Sequence, residues 1–296
     1  MTKAKGRVHQ FNTFFEANEH GGYKAVPPTT EPMEQFTAYV DFLGFSEGSA
    51  KIDESTRSKV LDLLLALSAL RGEFDVQSTV EESRKTSLIR PAISTFSDHI
   101  VISYPLRPLT DEMGTDDLMP AIFIMSQFTQ LLTRIAAAAL RIGFLVRGGA
   151  TIGKLYHAGG VVFGEALVDA FQIESRTSIY PRVVLSPQIT RRPMWIENQV
   201  GVLKGNDGLY YLDYYKMLLL DTASPGERYA KTVKEWFSDV TAIVDNNLTD
   251  LESRGKLKEF AKWAWFAREF RSGLERLPPQ LLSSLGVSMD EIPRPK

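Results

Sequence analysis

The sequence predicts an α+β fold, a ferredoxin-like sheet with helices on one face plus extra C-terminal helices, and three observations carry that reading. Strand-like and helix-like stretches follow one another as strand, helix, hairpin, helix, strand, helix, strand, the order of a split β-α-β unit. The last third carries large apolar residues at helical spacing, a pattern that adds helices rather than strands. With 296 residues, 44% of them hydrophobic and 24% charged, the chain has material for one large domain or two small ones.

Taken in order, residues 1–35 mix Gly, Pro, Thr and charge without periodicity and read as an N-terminal arm, mobile or hugging the surface. Residues 36–220 form the expected main domain. In FTAYVDFLGF (36–45) an apolar strand is interrupted by Asp41 just before a glycine turn, and residues 53–70 then carry Val60, Leu61, Leu64, Leu67 and Leu70 at helical spacing. The polar stretch 71–90 suits a loop or peripheral hairpin. AISTFSDHIVISYP is a second hairpin with Asp98 at its tip. The acids of the insert 109–117 read as a solvated loop rather than a metal site. A long helix is expected over about 118–142, with Ile124, Phe128, Leu131, Leu132 and Ile135 on one face. FLVRGGATIGK reads as a strand with Gly148 and Gly149 at its middle, YHAGGVVFG as a turn and short strand, EALVDAFQIES as a helix and PRVVLS as a strand, with a hairpin over 204–215. Residues 221–296 form a C-terminal helical extension on the same domain, its aromatic stripes suited to core or subunit interface.

A net charge of −2 offers no general electrostatic case for a nucleic-acid or anionic-membrane partner, and neither is expected. Without cysteine the chain has no thiol catalysis, disulfide or thiolate metal site, which fits a reducing compartment. The start, MTKAKGRVHQ, lacks the apolar core of a signal peptide, so a cytoplasmic location is expected. Phosphate loops of the Walker A or G-x-G-x-x-G kind and the Gly-x-Ser-x-Gly nucleophile motif are missing from the sequence.

The chemistry lies with two acids. A carboxylate at the end of a buried strand is costly unless something cationic meets it. If the first strand pairs with the first strand of the following hairpin, Asp41 meets Asp98, and two like charges that close call for a cation. Magnesium or manganese fits best, because the donors are hard oxygens. Hard divalent ions held by two aspartates beside a glycine turn suit the handling of a triphosphate. On strand alternation from Asp98, His99 is expected to point away from the acids, and His157 is expected in a turn.

VDFLGFS (40–46), FSDHIVIS (96–103) and VRGGATIGKLYHAGGVVFGEALVDAFQIES (146–175) resemble the class III nucleotide cyclases, and above all the Pycsar pyrimidine cyclases of bacterial anti-phage defence. The resemblance covers about residues 36–190. It implies that Asp41 and Asp98 bind two Mn2+ or Mg2+ ions with the backbone carbonyl of Phe42 as a further ligand. It also implies that the amides of Leu43, Gly44 and Phe45 cradle the phosphates of a ribonucleoside triphosphate. The 3′-hydroxyl would attack the α-phosphate and expel pyrophosphate, giving a cyclic nucleotide read by a separate effector. A homodimer is implied, with Arg147 or Lys154 of one subunit facing the metals of its mate and with the long helix and C-terminal helices supplying apolar dimer surface.

The sequence departs from the family pattern at two places. Val168 and Gln172 stand where purine cyclases carry a transition-state asparagine and arginine, which leaves Arg147, Arg176 and Arg182 as candidates to steady the α-phosphate. Ser94 and Val161 or Val162 stand where a lysine and an aspartate read adenine, which points to a smaller base, UTP ahead of CTP. The rival readings are a catalytically silent descendant that binds a nucleotide or only dimerises, and a palm-type polymerase or diguanylate cyclase, which lacks support because the hairpin tip reads Phe96-Ser97-Asp98-His99.

Overall fold

A computed structural model describes residues 15–17, 23–25, 31–45, 54–69, 76–80, 85–89, 91–106, 119–158, 160–191, 201–213, 227–284, 286 and 288–293. The insert 109–117 lies outside the described residues.

The strands are β1 (Phe15–Ala17), β2 (Tyr23–Ala25), β3 (Met33–Leu43), β4 (Val76–Val80), β5 (Lys85–Ile89), β6 (Ala92–Phe96), β7 (His99–Pro105), β8 (Leu145–Ala158), β9 (Val161–Phe163), β10 (Val183–Leu185), β11 (Val202–Lys204) and β12 (Tyr210–Leu212). The helices are α1 (Glu54–Ala69), α2 (Met119–Arg141), α3 (Glu165–Arg176), α4 (Pro187–Thr190), α5 (Glu227–Ser253), α6 (Leu257–Glu275) and α7 (Pro279–Ser284). The main sheet runs β11-β12-β10-β8-β3-β7-β6, with β9 paired to β8. Along β8, β3, β7 and β6 each strand is antiparallel to its neighbour. With α1 between β3 and β6, and α2 between β7 and β8, this is the ferredoxin-like split β-α-β arrangement.

One expectation about pairing is corrected. The first long strand, β3, pairs with the second strand of the hairpin, β7, and not with the first. The reason is geometric: the hairpin keeps β6 beside β7, so the strand next to β3 is the one whose polypeptide runs opposite to it. The acids still meet, because β7 begins at the hairpin tip and its first residue, His99, stands opposite Asp41.

Alternation along β3 divides the molecule. Phe36, Ala38, Val40 and Phe42 enter a large core with Ile100, Ile102 and Tyr104 of β7, and α2, α5 and α6 close over it with Phe128, Leu131, Phe237, Val240, Phe266 and Phe270. Most of these side chains are fully buried, so the apolar stripes of the long helix and the C-terminal helices are spent inside the fold. Among the described residues most of these stripes are therefore taken up by the core, against the expectation that they supply dimer surface, and Leu257 of α6 alone among their large apolar residues is strongly exposed, at 74%. No helix among the described residues is long and apolar enough to cross a membrane.

The second face of the sheet carries Thr37, Tyr39 and Asp41, and among the described residues α3 is the helix that crosses it. Its close seating explains Gly149, and the close approach of the neighbouring strands explains Gly148. A Cβ on Gly149 would lie 2.3 Å from the Ala170 carbonyl oxygen and 2.6 Å from Ile173 Cβ, and one on Gly148 would lie 2.5 Å from the Tyr39 carbonyl oxygen. Glycine here serves close approach rather than an unusual φ.

Two further features differ from expectation. Residues 15–17 and 23–25, inside the stretch read as an arm, are antiparallel strands, and β1 also pairs with β5 in a small sheet ordered β2-β1-β5-β4. Strand β8 also runs on to Ala158, so His157 belongs to a strand and not to a turn.

Candidate active site

The site is built where β3 ends. Asp41 is the ninth residue of an eleven-residue strand and is 6% exposed. Its cross-strand neighbours are His99 on β7 and Arg147 on β8. Residues paired directly across antiparallel strands share a face, so the register alone brings one acid, one imidazole and one guanidinium together. Asp98 joins them from the β6–β7 turn, where Ser97 has φ 55. The Phe42 amide donates to the Asp98 carbonyl at 3.0 Å, which ties the hairpin tip to the end of β3.

The contacts are short. Arg147 Nε donates to Asp41 Oδ2 at 2.9 Å, and its second amino group lies 2.7 Å from Glu174 Oε1. His99 Nδ1 is 3.0 Å from Asp98 Oδ1, while its Nε2 is 3.6 Å from Asp41 Oδ1. The expectation that His99 turns away is thus overturned. Asp98 sits in the turn, so strand alternation cannot be counted from it; counted from the pairing with Asp41, His99 faces the site. Arg147 is likewise committed to Asp41 and Glu174 of its own chain, which corrects its expected reach toward a mate.

Glu174 was not singled out from the sequence, although a signal was there. Ala166, Ala170 and Glu174 recur every four residues and are the buried residues of α3, so the acid continues the stripe of small residues that faces the sheet. Burial raises the Glu174 carboxyl above its ordinary value, with Asp41 and Asp98 adding to the rise and Arg147 opposing it. Tyr39 stands one row behind Asp41. Burial, then the charges of Glu174, Asp41 and Asp98, push its hydroxyl up to about 12. Its ring packs against Phe96, His99 and Phe171 at centroid distances of 6.1, 5.1 and 5.4 Å.

Asp41, Asp98 and His99 each offer one ligand atom, and these atoms lie within 4.8 Å of one another. Two ligands on opposite sides of a divalent ion stand roughly 4 to 5 Å apart, so the donor set fits a metal ion of this class.

The other residues expected in the site fall in different places. Phe42 and Leu43 end β3 with buried side chains. Gly44 follows with φ 97, a conformation that favours glycine, and Phe45 packs its ring 5.8 Å from that of Phe144. Ser94 lies on β6, two residues from Phe96, where its hydroxyl is 2.8 Å from His157 Nε2; His157 Nδ1 is 2.8 Å from the Ser103 hydroxyl. His157 also stands opposite Val162 in the β8–β9 register, whereas Val161 is exposed. Arg176 lines an open cleft of about 390 Å³ with Asp169, Gln172, Gln188 and Arg191, a lining that includes neither Asp41 nor Asp98. Arg182 is 4% exposed, bonded to Asp207, and packed over the rings of Tyr211 and Trp265.

No family model and no curated protein matches the sequence. Among solved structures, the guanylate cyclase domain of RhGC from Catenaria anguillulae in complex with GTP is similar at 12% identity and a TM-score of 0.36, over 62% of this chain and 98% of that one. A bacterial light-regulated adenylyl cyclase is similar at 12% identity and a TM-score of 0.37, over 63% of this chain and 52% of that one. Likeness at this level says nothing of activity, which has to be read from the contacts of the site itself.

Proposed function

We propose that the chain is a nucleotide cyclase of the class III kind, which converts a pyrimidine ribonucleoside triphosphate, UTP ahead of CTP, to the 3′,5′-cyclic monophosphate and pyrophosphate. The observation that carries the reading is the convergence of Asp41 and Asp98 from separate elements onto one spot beside the Gly44 turn. Bound there, Mn2+ or Mg2+ would neutralise triphosphate charge and acidify the attacking 3′-hydroxyl.

The chain's own groups do the positioning. Asp41 and Asp98 are held by strand register and by the Phe42 amide, so the donors are fixed before any ligand arrives. The amides of Leu43, Gly44 and Phe45 follow the acid at the turn, as backbone amides that bind phosphate oxygens do. Arg147 places a permanent cation beside Asp41, suited to a developing phosphoryl charge, and Glu174 anchors its other end. Ser94, held by His157, offers a small uncharged hydrogen-bonding group, which favours the pyrimidine reading. Exposed Phe96, Val161, Phe163, Val168 and Phe171 on or beside the acid-bearing face suit the subunit contact of a homodimer. A role in anti-phage defence, with a separate effector reading the product, follows from the sequence resemblance.

One observation favours a second reading, a silent nucleotide-binding relative: Arg147 already neutralises Asp41. The deciding experiment incubates the purified protein with each of the four ribonucleoside triphosphates and Mn2+ and identifies products by mass. Cyclic UMP, with less cyclic CMP, is expected. Cyclisation of ATP or GTP alone would sink the pyrimidine claim, and no turnover of any of the four would favour the silent relative.

A further inference from the structure

We propose that His99 is a third ligand of the metal held by Asp41 and Asp98, and that its imidazole makes the site prefer Mn2+ to Mg2+. The inference rests on the metal reading above but not on the identity of the substrate.

The geometry points to it in three ways. Strand pairing sets His99 directly opposite Asp41, on the same face of the sheet. The ring nitrogens also lie toward the acids: Nδ1 is 3.0 Å from Asp98 Oδ1, Nε2 is 3.6 Å from Asp41 Oδ1, and one ligand atom from each of the three residues falls within 4.8 Å of the others. Donor atoms on neighbouring corners of one ion stand roughly 3 to 4 Å apart, so both separations suit a shared ion. Finally, the ring is held in place, stacked on Phe96 at 5.7 Å and packed against Tyr39 at 5.1 Å, so it enters a metal's coordination sphere with little loss of freedom.

The chemistry follows from the donor set. Mg2+ takes oxygen ligands and gives up water reluctantly, whereas imidazole suits transition ions. A site of two carboxylates and one imidazole therefore separates the two ions in a way that two carboxylates alone do not.

The test measures metal binding without nucleotide, on the whole chain. Mn2+ bound to the protein should show electron spin echo modulation from a directly coordinated nitrogen, and that modulation should vanish in His99→Ala. Titration of free Mn2+ by its aqueous resonance, with Mg2+ as competitor, should show His99→Ala weakening Mn2+ by about tenfold or more while shifting Mg2+ by less than about twofold. A His99→Gln variant of the same design covers the case in which the alanine variant fails to fold. Bound Mn2+ with no nitrogen modulation, or equal weakening of both ions, overturns the proposal while leaving the two-acid metal site standing. No Mn2+ binding at all overturns both.

Discussion

The two faces of the central sheet are made by the same strands and obey different physics. On one face Phe36, Ala38, Val40 and Phe42 of β3 disappear beneath α2, α5 and α6, where burial of apolar surface decides every position. On the other, Thr37, Tyr39 and Asp41 alternate with them, and α3 covers only part of the surface. Here a row of polar groups, His99, Asp41 and Arg147, runs across three strands. The difference teaches where function can live: a strand whose one side is packed to zero exposure is stiff enough to hold costly charges in register on its other side. Substitutions on the two faces should therefore fail in different ways.

The largest effect is expected on the charged face. Asp41→Ala should lower turnover by roughly 10³-fold or more, the order lost when transition-state charge stabilisation is removed. The melting temperature should stay within a few degrees, because the variant also relieves a buried carboxylate, and Arg147 keeps Glu174 as partner. Steady-state kinetics with Mn2+ and thermal melting check the two halves together. Retained turnover would detach Asp41 from the chemistry.

Phe270→Ala is the counterpart on the packed face. Phe270 is 1% exposed, stacked on Phe266 and Phe237 and edge-on to Trp236. Its truncation should cost about 3 to 5 kcal/mol in urea unfolding, the range for a large aromatic removed from a core. Turnover per folded molecule should hardly change. If instead activity fell while stability held, the two faces would not be separable and the comparison would be wrong.

How much of this could be read from the chain follows the same division. The packed face was legible because period-2 and period-3.6 apolar patterns report burial directly, as Val40 in β3 and Phe237 in α5 illustrate. Asp41 and Asp98 were legible because an acid in an apolar run is a conspicuous exception. What the sequence hid was register. Alternation counted from Asp98 turns His99 away, but Asp98 lies in a turn, and only the pairing of His99 with Asp41 corrects the count. Glu174 was hidden for a related reason: its stripe with Ala166 and Ala170 was visible, but which surface the stripe faced was not. The role of Gly149 is equally non-local, since the helix backbone it admits lies more than twenty residues further along. Arg182 shows the converse, a cation whose chemistry suits phosphate but whose surroundings, Asp207 and two aromatic rings, become visible only in three dimensions.

The smallest predicted effect sharpens the comparison at the seam between the faces, where α3 carries a buried acid onto the charged side. Glu174 is 2% exposed, and its carboxyl titrates above its ordinary value of 4.5 because burial disfavours the charged form more than Arg147 favours it. The sign of the linkage follows from that direction. The folded state holds the proton more tightly than the unfolded state, so Glu174 adds stability that is complete below about 4.5 and is lost as pH rises through the raised native value. Measured as a difference between wild type and Glu174→Gln, which cancels groups common to both, wild-type stability should gain on the variant as pH falls across that window. Urea unfolding at neutral pH and near pH 5 reads the slope, and the change should be smaller than the loss at Phe270. The opposite slope would mean that Arg147 outweighs burial, making α3 part of the charged face in energy as well as in position.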